Sequence, residues 1–101
     1  MSVRSDLIRA VLERRVVEFR YDKDNADRFV HPHVLYRTSA GNECVDAYQV
    51  AGPTHSGTLP DWRLFDLRKI RRLDVLGEGF SPAPGYDPNS RKYRHGVIAR
   101  A

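Results

Sequence analysis

Arginines set among aromatic rings are the residues of this chain best suited to chemistry. A guanidinium offers phosphate or carboxylate a rigid fork of donors, and a neighbouring ring can stack a base. Arg28, Arg63, Tyr21, Tyr48 and Trp62 each stand at the end of a strand pattern or beside a turn, and His31 follows Arg28 at short spacing. That distribution points to the binding of an anion. A second reading stays open, in which Arg63 forms an internal salt bridge with Asp46 or Asp66 and Trp62 belongs to the core.

Other constellations say less. His31 and His33 lie two apart on a strand, so both imidazoles project to one side and could share a metal with Cys44 or His55, yet no spacing fixes a third ligand. Asp22-Lys23-Asp24-Asn25-Ala26-Asp27 has the opening spacing of a calcium loop, but its sixth position is Asp27 rather than Gly and its twelfth is His33 rather than Glu. A solvated hairpin loop is the better description. Cys44, or Ser56 beside His55, has the atom of a nucleophile without an oxyanion motif or orienting acid. Neither an enzyme nor a metal or other cofactor is expected.

The formal charge of +4 collects in Arg68-Lys69, Arg71-Arg72 and, near the end, Arg91, Lys92, Arg94 and Arg100. Such clusters attract polyanions, and Arg68, Lys69, Arg71, Arg72, Arg91 and Lys92 are the candidate nucleic-acid contacts. The alternative is a charged surface that keeps a small domain soluble, since acidic residues are interspersed through the folded part. A single cysteine excludes an intrachain disulfide, and neither a signal peptide nor a membrane-spanning apolar run is visible, so a soluble cytoplasmic protein is expected.

These residues must be positioned by elements the periodicity reveals. Ser5 as N-cap, Asp6 in the first turn and the stripe Leu7, Ile8, Val11 and Leu12 predict a helix over 5–15. From Val16 the period becomes two, and Val17, Phe19 and Tyr21 alternate with Glu18 and Arg20 in a half-buried strand. After the loop from Asp22 to Asp27, a second strand runs from about Arg28 to Arg37. It puts Val30, Val34 and Tyr36 on one face and Phe29, His31, His33 and Leu35 on the other. Pro32, which removes a ladder donor, argues for an edge or a sharp bend. The turn Ser39-Ala40-Gly41-Asn42, a third strand over Glu43 to Val50 and a Gly/Pro loop from Gly52 to Asp61 follow. A fourth strand covers Trp62 to Leu67, with Phe65 in the core and Trp62 at least partly exposed, and a fifth runs from about Ile70 to Leu76. One domain over 1–80, with a barrel over 16–76, then precedes an extended basic tail over 81–101 pinned by Phe80, Tyr86 and Tyr93.

The order and spacing of Arg28-x-Val30-x-Pro32, Gly41 through Tyr48, and Arg63-x-Phe65-x-Leu67-x-x-Ile70 resemble WYL domains, and the resemblance spans Leu7 to Phe80. The three residues that name that family stand here as Glu43, Cys44 and Val45. Farther along, Tyr48 to Gly52, Ser56-Gly57, Trp62-Arg63 and Pro84-Gly85-Tyr86 look like a short stand-alone subgroup. The resemblance implies a mainly β fold, a small five-stranded, strongly bent barrel of the Sm/SH3 type behind an N-terminal helix. It also implies a bacterial ligand-sensing role in transcription regulation, with Arg63 and Tyr48 at the ligand site. The ligand would be an anionic small molecule or single-stranded nucleic acid. No helix-turn-helix precedes the domain, so a regulator of this kind would work with a DNA-binding partner protein. Direct nucleic-acid binding and assembly into a homo-oligomer through an open strand edge remain the alternatives.

Overall fold

The computed structural model describes residues 2–54 and 57–101, and its architecture is mainly β: one N-terminal helix and six antiparallel strands in a single sheet. Helix α1 runs over Val3–Glu13, so its start lies earlier than the Ser5 cap predicts. Ser2 is the N-cap, accepting from the Ser5 amide, and Ser5 occupies the third helical position as the other half of a capping box. Arg14, left-handed at φ 53°, ends the helix. Leu7, Ala10 and Val11 face the core, whereas Leu12 is 63% exposed, so the buried stripe is narrower than the apolar pattern.

The strands are β1 (Arg15–Tyr21), β2 (Arg28–Arg37), β3 (Glu43–Ala51), β4 (Asp61–Asp66), β5 (Ile70–Gly79) and β6 (Val97–Arg100), with a short 3-10 turn, Leu67–Lys69, between β4 and β5. Their order is β4-β3-β2-β1-β5, and β6 pairs with β2. Two expectations change here. The sixth strand lies in the stretch read as a tail, and the sheet stays open, with β4 and β5 at its ends rather than paired into a closed barrel.

The sheet nevertheless curls hard. Phe19 on β1 and Phe65 on β4 lie three strands apart, roughly 14 Å in a flat sheet, yet their ring centroids are 5.1 Å apart. Tyr21 closes part of the gap, its ring 4.9 Å from Phe65 and its hydroxyl accepting from the Asp66 amide at 3.0 Å. Inside this curl lies the main core, where Val17, Phe19, Val30, Leu35, Val45, Ala47 and Phe65 pack with Leu7, Ala10 and Val11 of the helix and Ala99 of β6.

One extra residue decides what the other face of the sheet does. Register runs from Pro32↔Ala47 to Val34↔Asp46, which leaves His33 as a bulge in β2. Beyond it the side-chain parity reverses: Val30 and Leu35 share the main core, while Val34 and Tyr36 join Tyr93 in a second cluster, with Tyr86 and Val97 packed against it. The strict alternation predicted along β2 therefore fails at this point. Pro32 sits where β2 leaves β1, last paired at Val30, and takes up β6, first paired at Val34. The missing donor thus marks a bend rather than an edge. Residues 80–96 form a strap that covers the second cluster. Gly52 allows the β3–β4 loop to press on the β1–β2 loop, since a Cβ there, at φ 102°, would collide with the carbonyl oxygen of Asp27. No helix of the described residues is long and apolar enough to cross a membrane.

Candidate functional site

Alternation along β4 divides the predicted ligand-binding residues between the two faces of the sheet. Arg63 shares a face with Asp61 and Phe65, and Trp62 shares the opposite one with Leu64 and Asp66. On the inner side, at one end of the curl, Arg28 is only 4% exposed. Its guanidinium donates to Asp24 Oδ2 at 2.8 Å and to Gln49 Oε1 at 3.0 Å, and lies 5.4 Å from the Tyr21 ring centroid and 5.5 Å from that of Phe65. This arrangement ties the β1–β2 loop to β3 and lids the core, with the fork of Arg28 turned inward. Arg63 is nearer solvent. It donates to Asp61 Oδ2 at 2.9 Å, to the Trp62 carbonyl at 3.0 Å and to Thr54 Oγ1 at 2.8 Å. The salt-bridge partner is thus Asp61, a neighbour on the same strand, rather than Asp46 or Asp66, and the bond from Arg63 holds the Asp61 carboxyl below its ordinary range.

The outer side gathers the aromatic residues around His33, which is fully buried. Its ring lies 4.7 Å from Trp62, 5.0 Å from Phe80 and 4.9 Å from Tyr86, centroid to centroid. Nε2 accepts from the Ala83 amide at 3.0 Å, so Nδ1 carries the proton and donates to the His31 carbonyl 2.7 Å away. Burial pushes the imidazole pKa down, as it does for His31, which stacks on Phe80 at 4.9 Å. Tyr48 pairs across the ladder with Trp62, the rings 5.5 Å apart. The strap is pinned at both edges of this cluster, where Trp62 Nε1 donates to the Pro84 carbonyl at 2.7 Å and the Tyr86 hydroxyl to the Ala101 carbonyl at 3.0 Å.

Between the strap and β4 lies a cleft of about 230 Å³ lined by Trp62, Tyr86, Asp46, Lys92 and their neighbours. It continues past Trp62 into a depression of about 200 Å³ bordered by Arg63, Leu64 and Lys92. Trp62 and Tyr86 stand near-parallel, at 25° and 6.5 Å. The floor is Asp46, 3% exposed, which accepts from the Tyr36 hydroxyl at 3.2 Å and the Tyr93 hydroxyl at 2.8 Å and pairs with Lys92 Nζ at 2.6 Å. Burial, and then the adjacent carboxylate, push both phenol pKa values far up. In the sequence Asp46 stands out only as a partner for Arg63. Its actual role depends on the bulge that turns Tyr36 toward it.

The basic residues fall into two unlike groups. Arg68 binds Asp66 in two places, at 2.7 and 3.1 Å, and so holds that carboxyl below its usual range, with Lys69 adding its charge. Arg71 donates to the Asp24 carbonyl at 3.3 Å, and Arg72 faces Asp27, already bonded to Arg20 at 2.6 Å. Most of that segment is matched by local acceptors. The strap differs. Of the 17 Lys and Arg residues, Arg91, Lys92, Arg94 and Arg100 lie beyond position 87, leaving 13 to balance the 13 Asp and Glu, all at or before Asp87. Residues 1–87 are therefore formally neutral, and the whole excess of +4 belongs to residues 88–101, the later part of the strap and β6. This partition is legible in the sequence by simple counting.

Among the described residues no three His, Cys, Asp or Glu side chains gather as metal ligands. Cys44 is buried in β3, and burial raises its pKa, with Asp66 and Asp46 adding to the effect. His55 and Ser56, weighed above as a ligand and as a nucleophile, lie outside the described residues. Comparison with family models, curated proteins and solved structures found no match to this chain.

Proposed function

We propose that the chain is a non-enzymatic ligand-sensing module of the WYL type, on an Sm-like, SH3-type curled sheet, and that its ligand is an anionic molecule such as a nucleotide or a short single-stranded nucleic acid. The observation that carries this reading is the cleft in which Trp62 and Tyr86 stand beside Lys92. Aromatic faces stack bases irrespective of their identity, and since Lys92 is already paired with Asp46, the attraction for an anion comes from the positive charge collected on Arg91, Lys92 and Arg94 of the adjoining strap. The resemblance from Leu7 to Phe80 and the curled antiparallel sheet behind a helix support the fold type. Burial of Cys44, which raises its pKa, disfavours a thiolate nucleophile at that position. The compartment we propose is the cytoplasm, with a DNA-binding protein as the partner through which a regulatory signal would pass.

Titrating the full chain with adenosine 5′-monophosphate while following Trp62 fluorescence tests the reading, Trp62 being the only tryptophan. Saturable change with a shallow salt dependence is expected. Emission that no nucleotide alters refutes it. The concentration of charge on the strap favours one rival, direct nucleic-acid binding through phosphate contacts. That mode predicts affinity falling steeply with salt, in proportion to the phosphates contacted. Open edges at β4 and β5 favour the other, a homo-oligomer, which light scattering checks by finding more than a monomer at high concentration.

A further inference from the structure

Lys92 has a second neighbourhood. Across from the aromatic cleft it borders a depression of about 220 Å³, completed by Tyr36 of β2, Thr38 and Ser39 of the β2–β3 turn and Arg94 and His95 of the strap. The two walls are held together by the Arg37 amide donating to the Gly96 carbonyl at 2.8 Å, and the strap turns on itself there through the Gly96 amide donating to the Tyr93 carbonyl at 3.1 Å. Among the described residues no carboxylate lines the space. Tyr36 gives its hydroxyl proton to Asp46, but the other side chains that line the space can donate hydrogen bonds into it, and two of them, Arg94 and Lys92, the latter also paired with Asp46, are cations. The aromatic cleft is different in kind, since Asp46 and Asp87 line it. Arg94 also borders a further depression of about 360 Å³ with Asn89, Ser90, Arg91 and Arg100, again without a carboxylate.

We infer that the depression of Thr38, Ser39, Lys92, Arg94 and His95 is a phosphate subsite, and that the ligand of the adjoining cleft carries a phosphate monoester. Hydroxyl and guanidinium donors around a space free of acceptor charge suit a phosphate, whose oxygens only accept at their strongest. Lys92, common to both spaces, sets the join: ring on Trp62, phosphate on Ser39 and Arg94. The inference rests on the proposed ligand cleft only through that join, because the subsite stands on its own lining. A mononucleotide and a 5′-phosphorylated strand end both present the group.

The test uses the full chain, isotope-labelled, titrated with inorganic phosphate at constant ionic strength with sodium chloride as the control. Saturable shifts at the amides of Ser39, Arg94 and His95 are expected with phosphate and not with chloride. Arg94→Gln combined with His95→Gln, both exposed positions that leave the core intact, should lower phosphate affinity at least tenfold. Equal shifts with chloride, or a double substitution without effect, overturn the subsite. Adenosine and its 5′-monophosphate separate the two claims. A monophosphate preference that the double substitution abolishes supports the subsite. Phosphate binding that persists while neither compound moves Trp62 sinks the cleft and leaves the subsite standing. A 5′-phosphorylated tetranucleotide binding more tightly than the mononucleotide assigns the group to a strand end, and the reverse order to a free nucleotide.

Discussion

Replacing Tyr93 by Phe should remove one hydroxyl from a buried carboxylate and almost nothing else. The Tyr93 hydroxyl donates to Asp46 Oδ2 at 2.8 Å, and its ring meets Tyr36 edge-on at 4.7 Å, a contact the phenylalanine keeps. No cavity opens, so the cost is that of one hydrogen bond to a charged acceptor, ~1.5–3 kcal/mol. Asp46 retains Tyr36 and Lys92, which places the expected loss near the middle, about 2 kcal/mol, or a fall in Tm of about 10 °C for a domain of this size. Lys92→Gln removes the other Oδ2 partner, but the lysine side chain is 56% exposed, and screening should hold its cost below ~1 kcal/mol. Asp46→Ala strands two phenols and a cation and should cost about 3–5 kcal/mol. The order of costs is therefore Lys92→Gln, then Tyr93→Phe, then Asp46→Ala, read by urea unfolding with Trp62 fluorescence and circular dichroism. A Lys92 variant as costly as Tyr93→Phe would show that the ion pair, not the phenols, holds the strap, and would refute this ordering.

Phe65→Ala, at a site enclosed by Phe19 and Tyr21, should cost about 3–5 kcal/mol by chemical denaturation. Arg28→Ala should cost a similar ~3–5 kcal/mol by breaking a buried pair, whereas Arg63→Ala, whose partner Asp61 is exposed, should lose only a small fraction of that, and equal melting temperatures for the two would contradict the assignment of one pair to the interior and the other to the solvent-facing rim. His33, neutral when folded, has its pKa held down by burial against the opposing hydrogen bond to the His31 carbonyl, with the charges of His31 and Arg14 also lowering it and that of Asp46 raising it. Below the ordinary imidazole value of about 6.5 the unfolded chain takes up a proton that the folded chain refuses, so stability should fall on acidification until the folded pKa is passed. A melting temperature that stays flat from about pH 7 to about pH 5 would rule this out. Tyr36 and Tyr93 have raised pKa values, so stability should also be lost as pH climbs above the free phenol value of about 10.

The five strands from Arg15 to Gly79 were legible because a sheet with one buried face must alternate, and Phe65 and Trp62 could be assigned to core and half-buried positions on that basis alone. β6 was not, because Val97–Arg100 is too short to display a period and owes its conformation to β2. His33 hid the second cluster for a related reason. A bulge is a property of two strands together, and nothing in Pro32-His33-Val34 announces which residue will be the extra one. The Arg28 and Arg63 side chains read alike in sequence. They part company because β2 carries Arg28 into the curl, while Arg63 begins near the rim of β4 beside Asp61. Neutrality of residues 1–87 needed only counting, but its meaning depends on the strap being laid on the sheet.

The bulge at His33 also bears on fidelity of strand pairing. A strand with one buried face resists slipping by one residue because the slip turns its apolar row to water. β2 has two rows to satisfy, Val30 and Leu35 toward the helix side and Val34 and Tyr36 toward the strap, with the parity changing between them. Any one-residue shift past β3 would bring Tyr36 against the main core and Leu35 beneath the strap, and would misplace both rows at once. Deleting His33 would leave both halves in register with β3, since Pro32↔Ala47 and Val34↔Asp46 would become consecutive pairs, and would cost instead the imidazole on which Trp62, Phe80 and Tyr86 pack. The two apolar rows together, rather than the extra residue, thus fix where along β3 the second strand can sit.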